Sequence, residues 1–214
     1  MEHKELAVLC IGLGLAVASV RDVVAADNSP ATTQIAQAEA TFTYKDRPIH
    51  PMMIHEFVEP IWGGRLVYAV NLDENRTTNL FPQVIRRLAN GAIACDQALP
   101  ENGQGYFGYL HLGVLQSGTH VLCTYENWGG TGVFEELLFV RFCVQKVRQA
   151  DGLVHERFLL ELVDSIPLTD RDSGEIRLMK DRVIVGPSKE RKTTMELLEP
   201  AILRRELHGV SGDK

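Results

Sequence analysis

The chain contains no HExxH, no GxSxG, no CxxC and no Walker A pattern, and the GxGxxG match at Gly103 to Gly108 has no helix signal after it. It therefore offers no motif for a zinc hydrolase, a serine nucleophile on a strained elbow, a zinc ribbon, a redox dithiol or a phosphate cradle. It also has no excess of basic residues. Lys and Arg number 22 against 28 Asp and Glu, for a net charge of −6. The densest basic stretch, Lys189, Arg191 and Lys192, is interrupted by Glu190 and reads as a solvated polar segment. Nucleic acid is not an expected partner. Long apolar runs are missing too. The longest, Leu6 to Val20, has 15 residues, and a spanning helix needs roughly 18 or more.

Cysteines are few. Of the four, Cys10 lies inside that apolar run, which leaves Cys95, Cys123 and Cys143 at wide spacing. An odd number without short spacings is no disulfide framework. One bridge with one free thiol, or three buried free thiols acting as small hydrophobes, both satisfy the sequence. No cofactor and no metal site is expected.

What is present begins with the apolar run itself. It matches the upper end of a signal-peptide h-region, and the small residues Val24-Ala25-Ala26 follow it. The expectation is a signal peptide over 1–26, cut before Asp27, and an exported protein, periplasmic or extracellular. Lys4 is the only fixed positive charge of the n-region, opposed by Glu2 and Glu5, so an uncleaved anchor is the alternative. Only in that case would the membrane be a partner. The removed segment carries a net −1, which leaves −5 on the mature chain.

Residues 27–39 are small and polar and read as a linker. From Ala40 strand signals dominate. The candidates are Thr41 to Tyr44, Arg65 to Leu72, Tyr106 to Leu115, Thr119 to Glu126, Val133 to Arg148, Leu153 to Val163 and Glu175 to Val185. Met52 to Phe57 is expected to be extended. Short links such as Gln116-Ser117-Gly118 and Asp151-Gly152 make neighbouring strands antiparallel, since a parallel pair needs a crossover of a dozen or more residues. Leu137 to Val144 is apolar on both faces apart from Arg141, as in a central strand covered on both sides.

Asn79, Pro82, the face Val84, Ile85 and Leu88, and the stop Asn90-Gly91 predict one short internal helix. The charged tail 188–214 is helix-permissive. The reading is a mainly β protein: an antiparallel β-sandwich or barrel over 40–187, one short internal helix, and a helical or partly disordered C-terminal tail.

Functional candidates are sparse. Extension from His50 through Phe57 puts His50 and His55 on opposite faces. A hairpin turning at Ser117-Gly118 sets His120 opposite Leu115, about 13 Å along the strand from His111, too far for shared ligation. Glu126 and Glu135 flank the loop that carries Trp128, with Asn127 and Tyr125 beside them. Trp62-Gly63-Gly64 echoes Trp128-Gly129-Gly130. The leading expectation is a non-enzymatic module that binds or scaffolds, with Trp128, Asn127, Tyr125 and Trp62 as ligand contacts and a glycan or an envelope protein as ligand. The alternative is a carbohydrate-active enzyme in which Glu126 and Glu135 act across a glycosidic bond, which requires two carboxylates about 5–10 Å apart.

Overall fold

The computed structural model describes residues 40–58, 67–73, 81–98, 103–148, 152–170, 174–189 and 191–198. The expected signal peptide, linker and most of the tail lie outside these residues. The protein is mainly β, and its principal sheet is a curled antiparallel half-barrel.

Twelve strands and one short helix make up the described elements. The hairpin β1 (Thr43–Tyr44) and β2 (Arg47–Pro48) comes first, followed by helix α1 (Pro51–His55). The principal sheet holds β3 (Ala69–Asn71), β4 (Arg86–Arg87), β5 (Ile93–Ala98), β6 (Gln104–Val114), β7 (His120–Asn127), β8 (Phe134–Arg148) and β9 (Val154–Asp170). Its order is β3-β9-β8-β7-β6-β5-β4, so from β4 to β9 each strand lies beside the next in sequence. That is the outcome short links impose. A second sheet, in the order β10-β11-β12, contains Ile176–Leu178, Arg182–Val185 and Met195–Leu198.

The strand period of two decides which residue faces which layer. On β7, Leu122 joins Tyr109, Leu138, Val140 and Phe142 on one face, beneath Phe42, Tyr44, Met53 and Ile54 from the β1–β2 hairpin and α1. Val121 and Cys123 join Leu137, Phe139, Val163 and Ile166 on the other face, beneath Val183 and Val185 of the second sheet. Leu137 to Val140 are all fully buried. The LLFV stretch of β8 is thus covered on both faces, as its apolar pattern requires.

The structure corrects three local expectations. Residues 81–90 are not helical. Arg86–Arg87 form an edge strand that pairs with Ile93 and Ala94. Asn90-Gly91 turns that hairpin: Gly91 has φ +86, and the Asn90 side chain accepts the Ala92 N–H at 3.1 Å. Asn-Gly is a stronger signal for a tight hairpin than for a helix stop, and Val84 and Leu88 are exposed rather than forming a buried face.

The segment from Met52 is helical, not extended. Pro51 occupies the first turn, where its missing N–H costs nothing. His50 caps it by accepting the Met52 N–H on Nδ1, at 3.2 Å. Its Nε2 donates to the Gln83 carbonyl at 3.0 Å.

Met195–Leu198 is not part of a helix either. It is the edge strand β12, registered on β11 with Val183 opposite Leu197. Residues 199–214 lie outside the described residues.

Candidate functional site

Polar side chains gather at several places among the described residues, and three of them bear on function. The first is the mouth of the β7–β8 hairpin, where the sequence placed its candidates. Tyr125 stands opposite Glu135, and Glu126 stands opposite Phe134. Cross-strand partners share a face and successive residues alternate. Glu126 and Glu135 therefore lie on opposite faces of the sheet. The expectation of two glutamates across one bond is corrected by this register, because a one-residue offset reverses the face.

Asn127 is occupied within its own loop. Its amide donates to the carbonyls of Gly130 and Gly132, at 3.1 and 2.6 Å, and its oxygen accepts the Gly129 N–H at 2.9 Å. It shapes the Trp128 turn. Trp128 is half-buried, and its indole N–H has no partner among the described residues. Tyr125 is half-buried, and burial and the Cys123 and Glu135 groups beside it push its hydroxyl pKa up. Trp62 lies outside the described residues.

On the opposite face Glu126, nearly buried, accepts from His55 Nε2 at 2.8 Å. The helix α1 delivers His55 to this point, and the edge of its ring meets Phe107 at 4.9 Å between centroids. No local sequence pattern signals this pairing, because it spans 71 residues and depends on α1 being a helix.

The second place is the histidine pair of β6 and β7. His111 Nε2 and His120 Nδ1 are 3.1 Å apart, which corrects the expectation of distance. The turn is one residue longer than expected, with His120 opposite Val114. A bulge then intervenes: His111 pairs with Leu122 and Gly113 with Val121, so Leu112 has no opposite number. The extra residue returns His111 to the face of His120 and Leu122.

Phe42, at φ +50, stacks on His111 at 4.8 Å and lies 5.2 Å from His120. A positive φ is unusual for an aromatic residue, and here it turns the ring onto the pair. Phe142 closes His120 edge-on at 5.1 Å. His120 is fully buried, and its Nε2 has no partner among the described residues. Burial, with His111 beside it, lowers its pKa to about 3. Burial lowers that of His111 as well, against the Gly113 carbonyl, which raises it.

The third place is a pocket of about 200 Å³ between the start of the β1–β2 hairpin and the β4–β6 edge. Its lining includes Thr41, Thr43, Arg87, Ile93, Tyr109 and His111, and no acidic side chain. Tyr109, one of the lining residues, is anchored by donating to the Ile49 carbonyl at 2.8 Å. Arg87 is exposed and has no ion-pair partner among the described residues, whereas its neighbour Arg86 is paired with Asp96. No sequence signal marks this pocket. Its walls come from three separate hairpins.

Cys95, Cys123 and Cys143 are all free thiols. Burial, the leading cause for each, raises their pKa values to about 11, 12 and 12. A thiol so placed stays protonated at neutral pH and is a poor nucleophile. Among the described residues no three His, Cys, Asp or Glu side chains gather as a metal cluster, and no helix is long and apolar enough to cross a membrane. Comparison with protein-family models, with curated proteins and with solved structures finds no match for this chain.

Proposed function

We propose that the protein is an exported, non-catalytic binding domain whose ligand is a small molecule carrying a negative group, seated in the Thr41–Arg87–His111 pocket. One observation carries this reading. In a chain with a net charge of −6, an arginine without an ion-pair partner among the described residues stands over a pocket whose lining holds no carboxylate. A guanidinium presents a planar fork of donors that matches a carboxylate or phosphate. The volume of about 200 Å³ is below the roughly 300–1,000 Å³ of sites for drug-sized ligands, so the ligand is small. Tyr109, Ile93, Thr41 and Thr43 also line it.

The test is a titration of the ¹⁵N-labelled protein with malonate, pyruvate and inorganic phosphate, followed by amide shifts. At least one of these should move the Thr43, Gly91 and His111 amides together, and Arg87→Gln should weaken that response about tenfold, the loss of one charge-assisted contact. An undiminished response in Arg87→Gln, or no response to any of the three, overturns the reading.

Export rests on the apolar run Leu6 to Val20 followed by Val24-Ala25-Ala26. Intact mass of protein recovered from the native host should show a chain beginning at Asp27. A full-length species in the membrane fraction would mean an anchored domain instead.

A further inference from the structure

We infer that the Thr41–Arg87–His111 pocket takes up a proton together with its anion. The proton is held by the hydrogen-bonded pair His111 and His120, so the pocket grips its ligand more tightly as the pH falls. This coupling rests on the anion-binding reading above and adds the proton as a second ligand of the same site.

His111 takes part in two arrangements. It lines the pocket, and its Nε2 meets Nδ1 of His120, a fully buried ring, at 3.1 Å. Two ring nitrogens at this distance share a hydrogen bond, one carrying the proton and the other accepting it. The Gly113 carbonyl, an acceptor, holds the other nitrogen of His111. The neutral pair therefore has one set of tautomers that satisfies every N–H. His111 is protonated on Nδ1, its Nε2 accepts from His120 Nδ1, and His120 Nε2 is a bare nitrogen with no partner among the described residues. One more proton fits without breaking either bond. His111 then donates from both nitrogens, to Gly113 and to His120 Nδ1, and the proton of His120 sits on Nε2 instead. The result is an imidazolium on the ring that lines the pocket.

The empty pocket disfavours that second state. It leaves a buried Nε2–H of His120 unpaired, which is costly. Burial lowers the pKa of both rings. The titratable and charged groups around the pair are Tyr109 from β6 and Arg87 from β4. Phe42 from the β1–β2 hairpin, Ile93 from β5 and Phe142 from β8 do not titrate. Burial raises the Tyr109 hydroxyl pKa and the Arg87 charge opposes it, so the guanidinium acts on this lining. Arg87 has no ion-pair partner among the described residues, and a second positive charge beside it is disfavoured. An anion reverses the balance. It neutralises Arg87 and sets a negative charge beside His111, in a pocket whose lining has no acidic side chain of its own. An opposite charge at close range favours the protonated ring. By linkage, whatever factor the anion adds to proton affinity the proton adds to anion affinity.

The experiment uses the full chain with sulfate and with pyruvate, both fully ionised from pH 5 to pH 8, so that no titration of the probe enters. Calorimetry at pH 6 in two buffers of unlike ionisation enthalpy should show uptake of a sizeable fraction of one proton per anion bound. From pH 7 to pH 6 the affinity should rise about three- to tenfold, tenfold being the limit for one proton per unit of pH. Two-bond ¹H–¹⁵N spectra of the imidazoles at pH 6 should show His111 pass from neutral to imidazolium as the anion saturates. His111→Gln should bind at its remaining affinity without proton uptake. Binding that needs Arg87 but takes up no proton, or takes one up while His111 stays neutral, overturns the coupling and leaves the anion reading standing. Absence of binding by both anions at every pH overturns the coupling together with the reading it rests on. The wild-type spectra decide between these outcomes without any variant having to fold.

Discussion

Acidification from pH 7 to pH 5 should destabilise the protein by about 2 kcal/mol through His120 alone. His120 is fully buried, and its pKa falls to about 3 in the fold, chiefly through burial, against about 6.5 in an unfolded chain. Between those values the unfolded chain binds a proton that the folded chain refuses. Stability is therefore full above pH 6.5 and declines as the pH falls through that value, by about 1.4 kcal/mol per unit, until the pH reaches about 3. His111 adds to the loss in the same direction, since burial lowers its pKa too.

Urea denaturation at pH 7, 6 and 5 measures this slope above the main carboxylate range. His120→Leu should flatten it, because leucine places an apolar group among Phe42, Phe142 and Leu122 and has no proton to bind. If the wild type and His120→Leu lose stability in parallel, His120 is not the group responsible and its burial is not maintained in solution.

Phe139→Ala should cost about 3–5 kcal/mol, the range for truncating a fully buried phenylalanine. Phe139 is fully buried among Val121, Leu137, Val163 and Val183, where the principal and second sheets meet. The loss has two parts, the forfeited burial of the ring and the cavity left behind, and neither sheet can close that gap alone. Against a typical total of roughly 5–15 kcal/mol, it would leave the domain close to unfolding at body temperature. Leu153→Ala makes the control. Leu153 is 61% exposed, and surface changes of this kind stay within about 0.5 kcal/mol. Equal losses at the two positions, read from urea midpoints, would mean that the two sheets do not share a packed interior.

Much of the principal sheet was legible in the sequence. The segments around 106–115, 119–126, 133–148 and 153–163 appear as β6 to β9 with ends displaced by a few residues, except β9, which runs on to Asp170. Their antiparallel order follows from links too short for a crossover. The candidate sites were scarcely legible. In the sequence Glu126 and Glu135 flank one loop, whereas in the fold Glu126 is bonded to His55 from a distant helix. Trp128 and Tyr125 are where the hairpin puts them, but Asn127 is spent on the turn itself. Nothing local in the sequence marks Arg87, whose want of an ion-pair partner among the described residues shows only in the fold.

What the sequence by itself determined is local: period-two alternation, turn residues, and the two-sided apolar run of β8. These depend on a residue and its near neighbours. The tertiary structure decided everything that needs a second segment. Asn90-Gly91 became a hairpin turn because β5 was there to pair with Arg86–Arg87. Met195–Leu198 became a strand because β11 offered an edge. One extra residue at Leu112 changed the register enough to join His111 to His120. Register is set by packing across the sheet, and a shift of one residue moves a side chain to the opposite face. For that reason the strands could be read along the chain, but the sites formed between them could not.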